Sequence, residues 1–173
     1  TGSTSRQWFK NWLMEMFTSY FESPLGLLKI KATETAVTHL VFTESQTEPD
    51  LPNNITAEVH KQLEEYFSGS RKTFQIPFNQ LGTPFQGKVW ELLYQIPYGK
   101  TISYTDLSKQ YGDVKAIRAV AAANGKNNLA ILIPCHRVIG SNATLTGYAG
   151  GLWRKKWLLD HEARHQHGVQ SLF

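Results

Sequence analysis

The sequence predicts a mixed fold, an α/β half followed by an α half, and three patterns predict it. Apolar and polar residues alternate through much of residues 17–42, the period of half-buried strands. After Pro84 the apolar spacing becomes helical. Two later helices are short and joined by a tight turn at Gly112, which is the helix-turn-helix arrangement. A chain of 173 residues suits one compact domain or two small ones.

The elements follow in order. "FTSYFES" alternates, "PLG" at 24–26 turns, "LLKIKAT" alternates again, and "AVTHLVF" follows a polar break. Residues 44–54 are acidic and polar with two prolines, and read as a loop. Val59, Leu63, Tyr66 and Phe67 share a helical face, and Gly69 suits its C-terminal stop. "KTFQIPF" reads as a further strand, and "NQLGT" at 79–83 as a linker. Thr83 then has Pro84 at the first helical position and Gln86 at the third, a capping box. Phe85, Val89, Leu92, Leu93 and Ile96 line the face of the helix it starts.

"PYGKT" breaks that helix. Ser103 caps a short one that ends at Gly112, and Asp113 caps the next, predicted from about Val114 to Ala123 with Val114, Ile117 and Val120 inward. In a helix-turn-helix pair the second helix meets nucleic acid. Here it carries Lys115 and Arg118 beside Ala119, Ala122 and Ala123, small residues that allow close approach to a phosphate chain.

Charge supports such a partner. Seven Lys and Arg stand against nine Asp and Glu up to Pro84, and eleven against five from Phe85 onward. The basic half therefore favours a polyanion through counterion release, although a solvated surface gives the same count. No apolar run reaches the length of a membrane span, and no secretory signal is visible. One cysteine cannot form an internal disulfide, which points to a reducing compartment, the cytoplasm or, in a eukaryote, the nucleus. In the leader 1–16, Trp8, Phe9, Trp12, Leu13 and Met16 fall at helical spacing. They suit a native amphipathic helix or an added segment ahead of a start at Met14 or Met16.

That single cysteine, Cys135, sits in "ILIPCHRVIG". A cysteine among apolar residues is usually inert packing. Three neighbours argue otherwise. Pro134 cannot extend a sheet ladder, so a strand "LAILI" would end there with Cys135 at its mouth. His136 offers a base or an orienting partner, and Arg137 favours a thiolate. A lone intracellular cysteine with histidine at hand is a candidate nucleophile, for acyl transfer or for displacement at a saturated carbon.

"IPCHRVIG" resembles the active-site motif of the O6-alkylguanine-DNA alkyltransferases, the methylated-DNA–protein-cysteine methyltransferases. "GTPFQGKVWELLYQIPYGKTISY" and "KAIRAVAAANGKNN" are similar to segments before that motif, and "GYAGGLWRKKWLLDHE" to the segment after it. The colinear resemblance runs from about Pro77 to Glu162. It implies a small ribonuclease-H-like α/β domain at 17–78, the linker 79–83, and a helical, winged helix-turn-helix-like DNA-binding domain from 84 to 173. It implies irreversible, single-turnover transfer of an alkyl group from guanine O6 to Cys135, without cofactor or metal. The implied partner is double-stranded DNA carrying O6-alkylguanine, with O4-alkylthymine a further candidate, met by a monomer with no membrane attachment.

The resemblance also implies roles. Cys135 is the acceptor. His136 takes its proton through a water, and Glu162 orients and polarises His136. Asn127 matches a hinge asparagine, and Tyr104 helps turn the target phosphate and donates toward the leaving guanine. Arg118 fills the gap left by an extruded base, with Lys115 and Ala119 beside it on the helix that enters the minor groove. Tyr148 lines the guanine pocket, with the Val138 and Ala149 backbones flanking and Pro134 leading in. The chain departs from the family pattern in places. Asn128 stands where proline often follows the hinge asparagine, and Asn124 is a nearby rival for that role. Ala149 replaces a serine, and the ligands of an N-terminal zinc site found in some relatives are absent.

Two other readings remain. A helix-turn-helix module could bind lesions without transfer. "HEARH" at 161–165 matches the zinc-peptidase pattern H-E-x-x-H, with His161 and His165 as ligands and Glu162 as base. Only eight residues follow it, and His167 lies too close to serve as a distant third ligand.

Overall fold

The computed structural model describes residues 15–168 and Ser171. Most of the leader, including Trp8, Phe9, Trp12 and Leu13, lies outside the described residues. Strands β1 (Phe17–Ser23), β2 (Gly26–Ala32) and β3 (Val37–Phe42) form an antiparallel meander in the order β1-β2-β3. Ser23 pairs with Gly26 across the first turn, where Gly26 takes a φ of 105° that a side chain would resist. Helix α1 (Asn54–Ser68) follows. Asn53 caps it by accepting from the Thr56 N–H, and Gly69 ends it in the left-handed conformation. Its face of Val59, Leu63 and Tyr66 is fully buried.

"KTFQIPF" is not a strand. It is extended chain with one bridge, Phe78 to Val37. Pro77 has no N–H to give to a ladder, and the Gln75 N–H is taken by the Gln62 side chain.

The second half is helical. Helix α2 (Pro84–Tyr94) starts at the predicted capping box: Thr83 accepts from the Gln86 N–H while the Gln86 side chain accepts from the Thr83 N–H. A two-residue strand β4 (Ile102–Ser103) leads into α3 (Tyr104–Tyr111), capped by Ser103. A 3-10 turn (Val114–Ala116) precedes α4 (Ile117–Gly125). Asp113 caps that turn rather than the α-helix, and the tighter winding leaves Val114 exposed, against expectation, while Val120 is buried. The Trp90 indole donates to the Ala123 carbonyl at 2.9 Å and ties α2 to α4.

Residues 129–133 also depart from expectation. They make successive turns, not a strand, with Ile131 at a φ of 70°. A β-branched residue there is strained by about 1–3 kcal/mol. Bonds from Leu132 N–H to the Ala130 carbonyl and from Ile133 N–H to the Leu129 carbonyl hold it. A 3-10 turn (Cys135–Arg137), strand β5 (Val138–Ile139), a loop over 140–151 and helix α5 (Leu152–His167) complete the chain. Strand β5 pairs in parallel with β4: Ile102 with Val138, and Ser103 with Ile139. One buried apolar cluster joins residues of all these parts, from Leu28 and Leu40 to Leu93, Val138 and Leu158. Among the described residues no helix is long and apolar enough to cross a membrane.

Candidate active site

Cys135 opens the 3-10 turn and lies at the floor of a cleft of about 650 Å³. The start of α3 gives Tyr104 to this cleft, and α4 gives Ile117, Arg118, Ala121 and Asn124. Asn127 follows, and the 140–151 loop closes it with Thr146, Tyr148 and Ala149. Cys135 is 7% exposed. Burial pushes its pKa up, against the pull of an Asn127 hydrogen bond and the nearby Lys155 charge. At rest the sulfur is therefore a protonated thiol that needs a base.

A candidate base stands next in the chain. His136 is fully buried, and its Nε2 lies 2.9 and 3.0 Å from the two Glu162 oxygens. Glu162 also accepts from Arg137 Nε at 2.6 Å and Nη2 at 3.1 Å, and from the Tyr66 hydroxyl at 3.4 Å. Burial works to raise the Glu162 carboxyl, but His136 and Arg137 outweigh it and hold its pKa at about 2. An ionised carboxylate only accepts, so Nε2 carries the imidazole proton and Nδ1 is left with a lone pair. Burial lowers the His136 pKa, so the ring is neutral and able to accept. Nδ1 is buried and has no hydrogen-bond partner among the described residues.

Lys155 was not singled out in the sequence. Its ammonium is wholly buried and donates to the carbonyls of Val138 at 2.6 Å, Thr146 at 2.7 Å and Gly147 at 3.3 Å. It thus ties the cleft loop to the chain just past Cys135. Burial brings its pKa down to about 8, and the Cys135 charge works the other way. The signal was present: Lys155, Leu158, Leu159 and Glu162 share one face of α5 at helical spacing. Lys155→Met should cost about 2–4 kcal/mol by urea unfolding, since three carbonyls lose a charged donor. Amide exchange through 140–151 should quicken in step.

The other sequence candidates separate by position. Tyr104, Asn127, Arg118, Tyr148 and Ala149 line the cleft with Cys135. Lys115 and Ala119 are exposed on the 3-10 turn and α4 and do not line it. Pro134 and Val138 are buried and do not line it either: Pro134 borders a separate cavity of about 180 Å³, and the Val138 carbonyl is occupied by Lys155. Of the two asparagines, Asn127 bonds the chain leading to Cys135, while Asn124 donates to the Tyr104 hydroxyl at 3.4 Å. Gly150 packs against Tyr148, whose ring carbon would lie 2.8 Å from an added Cβ, so a side chain there would displace the pocket tyrosine.

"HEARH" lies on α5, but its residues face different neighbours. Glu162 is committed to His136 and Arg137. His161 stacks on Trp157 at 4.8 Å and donates to the Tyr66 carbonyl, and His165 donates to the His161 carbonyl. Among the described residues no group of three or more His, Cys, Asp or Glu is placed to hold a metal ion.

Comparison with known proteins decides the family. The 6-O-methylguanine DNA methyltransferase DNA-binding domain matches residues 84–164, and the ribonuclease-like domain of the same proteins matches 16–80. The chain belongs to the 6-O-methylguanine DNA methyltransferase family. Similar curated members include the constitutive methylated-DNA–protein-cysteine methyltransferase of Bacillus subtilis, 48% identical over 75% of this chain and 84% of that protein. The methylated-DNA–protein-cysteine methyltransferase of Methanosarcina acetivorans is 40% identical over 85% and 98%. Among solved structures, the O6-methylguanine methyltransferase of Mycobacterium tuberculosis superposes with a TM-score of 0.80 at 38% identity, covering 90% of this chain and 97% of that one. The same organism's OGT in complex with DNA gives 0.78 at 39%, covering 87% and 93%. The family's two-part architecture, a small sheet domain followed by a helical DNA-binding domain, is the fold described above.

Proposed function

We propose that this protein repairs DNA by moving an alkyl group from guanine O6 to the Cys135 sulfur, once per molecule. The observation that carries this reading is a buried, neutral His136 with a free Nδ1, next in the chain to the only thiol, whose residue lines a cleft with α4 and the 140–151 loop. Relatives named for the reaction and a DNA complex of a similar protein support it.

In this reading the Cys135 proton passes through a water to His136 Nδ1, and the Glu162 carboxylate stabilises the imidazolium that forms. The thiolate displaces the alkyl carbon. The C–S bond forms, the C–O6 bond breaks, and the electron pair leaves on the guanine. Tyr104 donates toward that base as charge develops, which is electrostatic stabilisation of the leaving group. The Lys155 charge and the Asn127 amide both work to lower the thiol's pKa and so favour its anion. No cofactor enters the balance. The product thioether has no route back to a thiol.

O6 of a paired guanine lies inside the duplex, so the nucleotide must be extruded, at a cost of a few kcal/mol. Arg118, exposed on α4 at the rim of the cleft, would fill the void, while Lys115 and Ala119 contact the backbone. Tyr148 and Ala149 would hold the flipped base. The protein acts as a monomer on double-stranded DNA, with O4-alkylthymine a second lesion of the same chemistry.

Incubation with an O6-methylguanine duplex should add the mass of one methyl group to the peptide holding Cys135. An unmodified peptide after full lesion binding would leave the second reading, a lesion binder without transfer. Arg118→Ala should slow transfer from duplex about tenfold or more, the effect of losing ~1–2 kcal/mol of extrusion energy. Transfer from free O6-benzylguanine, which needs no extrusion, should be unchanged. Equal slowing of both reactions would remove the void-filling role.

A further inference from the structure

The Asn127 side chain has two ends with opposite demands. Its Oδ1 accepts from the Leu129 N–H at 3.0 Å and from Gln80 Nε2 at 3.0 Å. Its Nδ2 donates to the Ile133 carbonyl at 2.8 Å and to the Leu129 carbonyl at 3.4 Å. The Ile133 carbonyl also accepts the Cys135 N–H at 2.8 Å, and Asn127 lines the cleft with Cys135, so the amide stands beside the nucleophile and works to lower its pKa. Rotation by half a turn would press Nδ2 against two donors. It would also aim an oxygen lone pair at the Ile133 and Leu129 carbonyls. The orientation therefore decides whether a donor or an acceptor stands on the nucleophile's side of the cleft.

Gln80 is fixed in its turn. The Asn128 backbone N–H donates to Gln80 Oε1, which forces Nε2 toward Asn127. A proline at 128 would have no N–H to give, whereas this chain has asparagine there. Gln80 lies in the short stretch between the sheet region and α2, and it is only half-buried. The sheet edge braces the same turn: the Leu40 N–H donates to the Asn128 carbonyl, and the Ala130 N–H to the Leu40 carbonyl.

We propose that Gln80 is a positioning residue for the nucleophile: from the segment between the two halves it locks the Asn127 amide with its N–H end on the chain that leads into Cys135. The Asn128 N–H orients Gln80, Gln80 orients Asn127, and Asn127 stabilises the thiolate. The connecting segment thereby tunes a sulfur that it does not touch. This inference rests on the reading of Cys135 as alkyl acceptor, and it concerns what makes that sulfur reactive.

Cys135 is the only thiol, so iodoacetamide reports on one atom in the intact chain. Alkylation rates would be followed across the pH range of thiol ionisation for the parent, Gln80→Met and Gln80→Glu. Gln80→Met keeps the length and removes both bonds. Gln80→Glu keeps the acceptor for the Asn128 N–H but sets a carboxylate against Asn127 Oδ1. The proposal expects the pH midpoint of Gln80→Met to rise by about one unit, a fall of about tenfold at neutral pH, with the alkaline plateau unchanged. Gln80→Glu should move further in the same direction. An unmoved Gln80→Met midpoint overturns the proposal, as does a fall by one factor at every pH, which would report altered access alone. A shift in Gln80→Glu without one in Gln80→Met would report the added charge and overturns it equally. Methyl transfer from an O6-methylguanine duplex, run in parallel, keeps the questions apart. A parent that reacts with iodoacetamide but takes no methyl group sinks the repair reading, while its pH profile still decides the role of Gln80.

Discussion

Cys135→Ala should take up no methyl group from O6-methylguanine duplex at any time, while still binding that duplex. The separation is expected because the groups assigned to DNA lie on α3, the 3-10 turn and α4, whereas Cys135 is a buried residue of the cleft lining. The substitution removes one polarisable atom from a buried site, at a cost of about 1 kcal/mol, too little to unfold the domain. Intact mass reports the transfer, and fluorescence anisotropy of a labelled duplex reports the binding. Retained transfer would mean that another residue accepts the alkyl group. Lost binding would mean that the thiol is part of the DNA contact, and the division between a gripping surface and a reacting floor would fall.

Glu162→Gln should damage both stability and transfer, for separable reasons. The carboxylate is 1% exposed and is the counter-ion of a buried Arg137. Its neutral isostere leaves that guanidinium unpaired, which should cost about 3–5 kcal/mol. For a chain of this size that is a fall of roughly 10 °C in Tm. Transfer should fall because a neutral amide no longer stabilises an imidazolium at His136, nor fixes its proton on Nε2. Adding Arg137→Met removes the orphaned charge and should restore much of the stability but none of the transfer. Recovery of both would reduce Glu162 to a structural partner of Arg137.

The same carboxylate predicts acid sensitivity. Its folded pKa of about 2 lies below the ordinary 4.5, so folding favours the ionised form. The stability it contributes, ~3 kcal/mol, is fully present above the ordinary value and is lost as pH falls through the window between the two. Urea midpoints should drop across that window in the parent and much less in Glu162→Gln.

How much of this was legible in the sequence depended on whether the signal was local. Thr83-Pro84-Gln86, Ser103 and Asp113 marked helix starts because a cap is a contact between residues two or three apart. The strands over 17–42 were legible because alternation is a local pattern. Residues 129–133 misled: an apolar run of strand length is folded into turns by the Asn127 side chain, which takes the Leu129 N–H that a ladder would need. Val114 misled because the cap at Asp113 winds a 3-10 turn first. At the site, the cysteine motif and its resemblance led to Cys135, His136 and Glu162; the contact between His136 and Glu162 spans 26 positions of sequence and 2.9 Å of space. Lys155 shares a helical face with Leu158 and Glu162, but a buried ammonium is recognised only by the carbonyls around it. Gln80 carried no signal at all, since its meaning depends on an N–H far along the chain.

The two-residue ladder between β4 and β5 has a mechanical corollary. Ser103 caps the helix that begins with Tyr104, and Ile139 lies four residues past Cys135; the two are registered partners. Handle and blade are thus riveted at one point, with no joint between them. On the proposed reading, a lesion would have to reach the sulfur through bending and unstacking of the double helix, since the ladder holds the grip and the thiol at a fixed spacing.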